Sequence, residues 1–265
     1  MVAGELRWPL VKTESGGAVQ VLEPVVQLVW APSGTESIPN EDSTVVEFDE
    51  GNLFSLNRFP GSDAVERGPR ANIGLSWTRI GADGLTIGAT VGRVFRAGDE
   101  GQFSLGSGLD GTASDWLAAV QLAGGGFTLT NRALFDDGFA VTKAEVRLDG
   151  RNDRAVVAAS YVWAVADLTE NRGINTSEVT VDGSYDLTPG WTASVLGRYD
   201  LIAERPSRAG LGLVFRNECI LVDVSLSRRF TSSTTVQPTT SFGVSVDLLG
   251  FGSGAEAGPA RTCRR

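Results

Sequence analysis

The stretch Trp191-Thr192-Ala193-Ser194-Val195-Leu196-Gly197-Arg198-Tyr199-Asp200-Leu201 decides the fold. In an extended strand successive side chains point to opposite faces. Trp191, Ala193, Val195, Gly197, Tyr199 and Leu201 therefore share one apolar face, while Thr192, Ser194, Arg198 and Asp200 dominate the other. The preceding segment repeats the pattern, with Val179, Val181, Gly183, Tyr185 and Leu187 set against Glu178, Thr180, Asp182, Ser184 and Asp186.

Working outward, Ala71, Ile73, Leu75 and Trp77 oppose Asn72, Gly74, Ser76 and Thr78, and Phe242, Val244, Val246 and Leu248 oppose Ser241, Gly243, Ser245 and Asp247. Segments of roughly ten residues with an apolar face and a small, hydrophilic face are the pattern of membrane strands between lipid and a polar lumen. The expected fold is thus all-β, an antiparallel transmembrane β-barrel of about thirteen strands, part of a larger barrel. A soluble sandwich also alternates, but its outer face is usually rich in lysine and glutamate rather than serine, threonine and glycine.

The expected strands lie near residues 5 to 13, 18 to 31, 69 to 80, 84 to 96, 113 to 122, 126 to 136, 140 to 149, 153 to 166, 176 to 187, 190 to 202, 207 to 217, 219 to 230 and 239 to 249. Two of them, Asp115 to Ala123 and Ala155 to Val165, are alanine-rich enough to read as short buried helices. Tyr161, Val162 and Trp163 and the flanking turns favour strands. Tight connections such as Gly81-Ala82-Asp83-Gly84 and Thr188-Pro189-Gly190 alternate with longer ones at Pro32 to Gly68, Ala97 to Gly111, Ala166 to Asn175 and Thr231 to Thr240. Short periplasmic turns alternating with long external loops put the C-terminus in the periplasm.

Composition narrows the function. The 265 residues include 33 glycines and no histidine, and mean hydropathy is -0.01. No apolar run reaches the ~18 residues of a spanning helix. The net charge of -9 argues against a nucleic-acid binder, since phosphate contacts need a positive field. Without histidine the commonest general base and metal ligand is missing, so no enzymatic chemistry and no cofactor are expected. Met-Val-Ala-Gly-Glu-Leu-Arg-Trp is not a secretory signal, although a barrel must be exported. An odd strand count likewise suggests earlier strands upstream, because single-chain bacterial barrels have even numbers.

The loop after the second strand carries a resemblance. Ile38-Pro39-Asn40-Glu41-Asp42-Ser43, then Glu47-Phe48-Asp49, Asn52-Leu53-Phe54-Ser55-Leu56-Asn57-Arg58-Phe59-Pro60-Gly61, Asp63, Glu66 and Arg70-Ala71-Asn72 resemble the LptD family of lipopolysaccharide-assembly proteins. Glu23-Pro24-Val25-Val26-Gln27-Leu28-Val29 and Tyr199 to Phe230, with Asn217-Glu218-Cys219, look like the C-terminal half of an alphaproteobacterial member. The resemblance implies that residues 1–250 are the C-terminal part of the family's barrel and 251–265 a periplasmic tail. The family's N-terminal jellyroll and first barrel strands are expected to be absent.

What the resemblance implies about function is outer-membrane delivery of lipopolysaccharide to the outer leaflet. The implied partners are an LptE-type lipoprotein plug, a periplasmic LptA-type bridge engaged through the N-terminal domain, and the barrel-assembly machinery. The last strand, with Phe242, Val244, Val246 and Leu248, would form one side of the lateral gate. A cysteine at the position of Cys219 bonds to the N-terminal domain in the family. Here Cys219 either bridges Cys263 in the tail or each pairs with an upstream cysteine.

Other constellations have two readings. Glu41, Asp42, Glu47, Asp49, Glu50, Asp63 and Glu66 could converge on a divalent cation, or solvate the loop and pair with Arg58 and Arg70; pairing demands less. The inward arginines Arg132, Arg147, Arg198, Arg216 and Arg229 could steer lipid A phosphates, or pair with acids such as Asp200 and Asp223. Arg93 and Arg228 share the parity of the lipid face near its external end, where they could snorkel to lipopolysaccharide phosphates. Trp77, Trp191, Trp30 and Trp163 suit interfacial girdles. A general porin would share the alternation but not the Ile38 to Gly61 loop or Cys219, and a soluble all-β binding module is the rival from another class.

Overall fold

The computed structural model describes residues 1–34, 46–170, 172–231 and 237–249. Alternating apolar and polar residues produce strands throughout: β1 (Val2–Arg7), β2 (Leu10–Thr13), β3 (Val19–Trp30), β4 (Arg70–Ile80), β5 (Thr86–Arg96), β6 (Trp116–Gly124) and β7 (Phe127–Phe135). There follow β8 (Val141–Arg151), β9 (Ala155–Ala164), β10 (Thr176–Thr188), β11 (Trp191–Asp200), β12 (Arg205–Arg216), β13 (Ile220–Arg229) and β14 (Thr239–Leu248). A 3-10 turn at Leu105–Ser107 is the only helical element among the described residues. No helix there is long and apolar enough to cross a membrane. Both alanine-rich segments are strands, β6 and β9.

Neighbours in sequence are neighbours in an antiparallel sheet, as between β4 and β5, where Ile80 faces Thr86 and Arg70 faces Arg96. Fourteen strands occupy thirteen places, because β1 and β2 both pair with β3. Proline explains the break. Trp8-Pro9 interrupts the first strand opposite Pro24, and neither ring nitrogen can donate to the ladder. One hydrogen bond crosses there, from Trp8 N to Pro24 O (3.1 Å).

The turns follow their chemistry. At Gly81–Gly84, Gly84 has φ of 81° and donates to Gly81 O, a left-handed position that glycine fills without penalty. The expected alternation of connection length holds only in part. Asp136–Ala140 and Leu201–Glu204 lie on the side of the long loops but are tight, the first closed by Asp136 Oδ1 accepting from Gly138 N and Ala140 N.

Two compact units form, one of residues 1–147 and 161–177, the other of 148–160 and 178 onward. In the second unit the apolar face lies open: Val195, Leu211, Phe242, Val244, Val246 and Leu248 are 52 to 70 % exposed. In the first, Val26, Leu28, Trp30, Ile73, Leu75 and Val91 are likewise exposed, while the opposite face of the same strands buries Val25, Gln27, Val29, Asn72 and Val94. A water-soluble sandwich buries its valines and leucines. This sheet displays them.

Candidate functional site

The polar face of the first unit is covered by the chain's own loop. Two asparagines fold it. Asn52 and Asp49 exchange backbone and side-chain bonds (Asp49 N to Asn52 Oδ1 3.1 Å, Asn52 N to Asp49 Oδ1 3.0 Å), and Asn52 Nδ2 reaches Glu47 O at 2.8 Å. Asn57 closes the next turn, donating to Ala64 O and accepting from Glu66 N, each at 3.0 Å. The tip so formed drives Val46, Phe48 and Leu53 into a buried cluster with Val94, Leu109, Leu117 and Leu134, flanked by Phe54, Phe59 and Phe103.

Behind that apolar tip lies an ion cluster with side chains 0 to 2 % exposed. Arg58 grips Glu66 with one terminal nitrogen on both carboxylate oxygens (2.8 and 2.7 Å), and its other terminal nitrogen donates to Leu53 O and Asn72 Oδ1. Arg70 Nε stands 3.4 Å and Arg96 Nη2 3.3 Å from Glu66 Oε1. Amides extend the network: Asn72 Nδ2 donates to Gln27 Oε1 (2.6 Å), and Gln27 Nε2 donates to Phe54 O (3.0 Å). Burial pushes the Arg58 guanidinium down, and Glu66 opposes that shift. A second anchor holds the loop to β7 and β8, where Arg132 donates to Glu50 at 2.8 and 3.1 Å and to Glu145 at 3.2 Å.

Of the loop residues singled out in the sequence, Asn52, Leu53, Phe54, Arg58 and Glu66 meet in this plug. Gly61 and Asp63 lie in the same loop, and Pro39, Asn40, Glu41 and Asp42 lie outside the described residues. Glu66 and Glu50 are engaged by arginines, and no cluster of three metal-ligating side chains occurs among the described residues. The pairing of Glu66 with Arg58 and Arg70 agrees with the sequence reading; Arg96 was not anticipated. Arg132 and Arg198 pair with acids, but with Glu50, Glu145 and Glu178 rather than Asp200 or Asp223.

Arg93 does take the parity of the apolar face, yet its side chain is only 11 % exposed. It is held by Ser114 O (2.8 Å) and Asp137 between the rings of Phe95 and Trp116. Arg228 is exposed, lying 5.2 Å from the Phe230 ring centroid. Cys219 N donates to Asn217 Oδ1 (2.8 Å), and Cys219 O accepts from Leu249 N (2.7 Å), which sets the start of the tail beside it. Cys263 lies outside the described residues.

A clamp joins two loops on the long-loop side. Asp167 accepts from Gly106 N (2.6 Å) and from Thr169 N and Oγ1 (2.8 and 2.6 Å), while Ser104 Oγ donates to Glu170. Burial opposes the Asp167 charge, but the bonds from Thr169 and Gly106 prevail and hold its carboxyl down at about 2.

Strands that expose apolar side chains on one face and fill the other with their own loop define an outer-membrane β-barrel protein. The chain belongs to the LptD family: the family described as LPS transport system D matches residues 2–191, plug included. It is 26% identical over 233 residues to the LPS-assembly protein LptD of Pectobacterium atrosepticum and 28% identical over 234 residues to that of Neisseria gonorrhoeae, aligning 80% and 77% of this chain. The aligned part is 29% and 27% of those proteins' lengths. Among solved structures it is similar to a triple-mutant porin of Rhodopseudomonas blastica, with 15% identity and a TM-score of 0.40 over 96% of this chain and 83% of that one.

Proposed function

We propose that the chain forms the C-terminal section of the barrel through which lipopolysaccharide reaches the outer leaflet, with residues 251–265 as a periplasmic tail. The observation that carries this reading is the plug: the loop on which the sequence resemblance rests lies within the matched stretch 2–191, and its residues 46–68 fold onto the polar side of the strands. An LptE-type lipoprotein, an LptA-type bridge and the barrel-assembly machinery are its partners on this reading, and its work is transport, with no catalytic residue. β14 supplies one side of the lateral gate through Phe242, Val244, Val246 and Leu248, all strongly exposed. Arg228, exposed on β13, is the arginine left for lipid phosphates, because Arg93 is already taken up by Ser114 O and Asp137. Cys219 and Cys263 form the internal bridge, favoured by the Leu249 to Cys219 bond that starts the tail beside Cys219.

The test is depletion of the native protein and complementation with the wild-type gene, reading surface-exposed lipopolysaccharide by cell labelling. Restored surface labelling is expected. A protein that instead restores only solute uptake, with single-channel conductance in planar bilayers, is a porin.

A further inference from the structure

Arg70 and Arg96 are direct cross-strand partners on the polar face of β4 and β5. Like charges placed opposite each other destabilise a sheet unless an anion lies between them. The anion here is Glu66, which belongs to the loop and not to the wall. Its closest partner, Arg58, belongs to the same loop and would leave with it.

Two of the wall's other donors also reach the loop, although Arg96 Nη1 donates to Leu109 O and Gln27 Nε2 donates as well to Glu5 Oε2 of β1, each at 2.9 Å. Arg70 Nη2 donates to Leu56 O, and Gln27 Nε2 to Phe54 O. Arg70 and Arg96 are more than nine-tenths buried, yet Arg70 Nη1 and Arg96 Nε have no hydrogen-bond partner. Buried unsatisfied donors are rare and call for a cause. Two guanidinium groups offer more N–H donors than one shared carboxylate can accept, whereas a phosphate monoester brings three terminal oxygens and suits the planar guanidinium fork.

We propose that Arg70 and Arg96, with Gln27 and Asn72 beside them, form an anion site on the lumen wall, that Glu66 occupies it as a built-in ligand, and that a phosphate monoester replaces Glu66 when the loop 46–68 lifts. Only the source of the phosphate rests on the transport reading, since a phosphorylated glycolipid and free phosphate present the same chemistry.

The experiment uses the full-length protein in detergent and titrates inorganic phosphate calorimetrically into wild type, E66Q and E66Q/R70Q/R96Q, with heat-modifiable migration as the check on folding. E66Q is expected to bind phosphate at least tenfold more tightly than wild type, and the triple variant to lose that gain. A folded E66Q with no gain, or a gain that survives R70Q/R96Q, overturns the site. Should E66Q fail to fold, G92V, which displaces Leu53 and keeps every charge, is titrated with the same expectation. A photoreactive residue at Ser76, on the same face of β4, then separates the sources: capture of phosphorylated lipid A above its dephosphorylated form supports the glycolipid, and equal capture rejects it. Surface delivery by the wild type is read in parallel. Delivery without phosphate binding in E66Q overturns the site alone, whereas binding without delivery overturns the transport reading alone.

Discussion

Leu53 sits over Gly92 so closely that a Cβ built on the glycine would lie 2.2 Å from Leu53 Cδ2. Gly74, the register partner of Gly92 on β4, meets the same side chain at 2.8 Å. The two glycines form the notch in which Leu53, fully buried, is seated. Gly92→Ala forces Leu53 out of a packed cluster and should cost about 1–3 kcal/mol, the range for overpacking. Leu53→Ala empties the notch and should cost about 2–5 kcal/mol. Both are expected to raise protease cleavage within 46–68 while leaving the heat-modifiable migration of the sheet intact. Cleavage unchanged in both variants would show that the loop is held without the notch.

Arg58 has a different role, since it satisfies a carboxylate, a backbone carbonyl and an amide at once. Arg58→Ala strands Glu66 against fewer cations in a buried site, a change that typically costs about 3–5 kcal/mol. Arg58→Lys keeps the charge but not the planar fork, and should recover less than half of the loss. Denaturant titration followed by the fluorescence of a probe on the plug reads both. A full rescue by lysine would mean that charge alone matters.

The strands were legible because a period of two survives any detail of packing: the thirteen expected segments coincide with the observed ladder to within a few residues. What divided the first of them becomes visible only once the register sets Trp8 opposite Pro24 and Pro9 one place further on. Arg58, Arg70 and Glu66 were legible as partners because they share one loop and its exit. Arg96 was not, although the tight turn at Gly81–Gly84 already fixes the register that sets it opposite Arg70. Gly74 and Gly92 read in sequence as small lumenal residues, and nothing local announces that a leucine from a loop fills the space above them. Asp167 gave no signal at all, since its partner Gly106 is a loop glycine 61 positions away.

Asp167 yields a pH prediction. Its folded pKa is held down at about 2, below the ordinary carboxylate value of 3.8, so the folded loops bind fewer protons than the released ones. The clamp therefore contributes its full stability above about pH 4 and loses it as pH falls through the folded value near 2. Amide exchange at Gly106, whose N–H donates to Asp167, should stay slow above pH 4 and accelerate, beyond its intrinsic pH dependence, between pH 4 and 2. Asp167→Asn should abolish that added acceleration. A wild-type profile that follows the intrinsic dependence throughout would reject the clamp.

Val195 and Ser194 are adjacent on β11 and point to opposite faces of the sheet. Val195 is 52 % exposed and faces Leu211 across the ladder, on a surface made of apolar side chains. In a bilayer an arginine there would sit among acyl chains, at a cost of about 2–4 kcal/mol near the midplane. Ser194 faces Gly212 on the polar side, where an arginine meets water and the carboxylates of Asp182 and Asp223 that line the same hollow. Val195→Arg should reduce insertion into lipid vesicles severalfold, and Ser194→Arg should leave it within experimental error, with folding scored by protease protection and heat-modifiable migration. The opposite ranking would require the apolar face to be the one turned toward water. Such a result would undo the membrane assignment of the sheet, since β4, β10 and β14 repeat the same alternation.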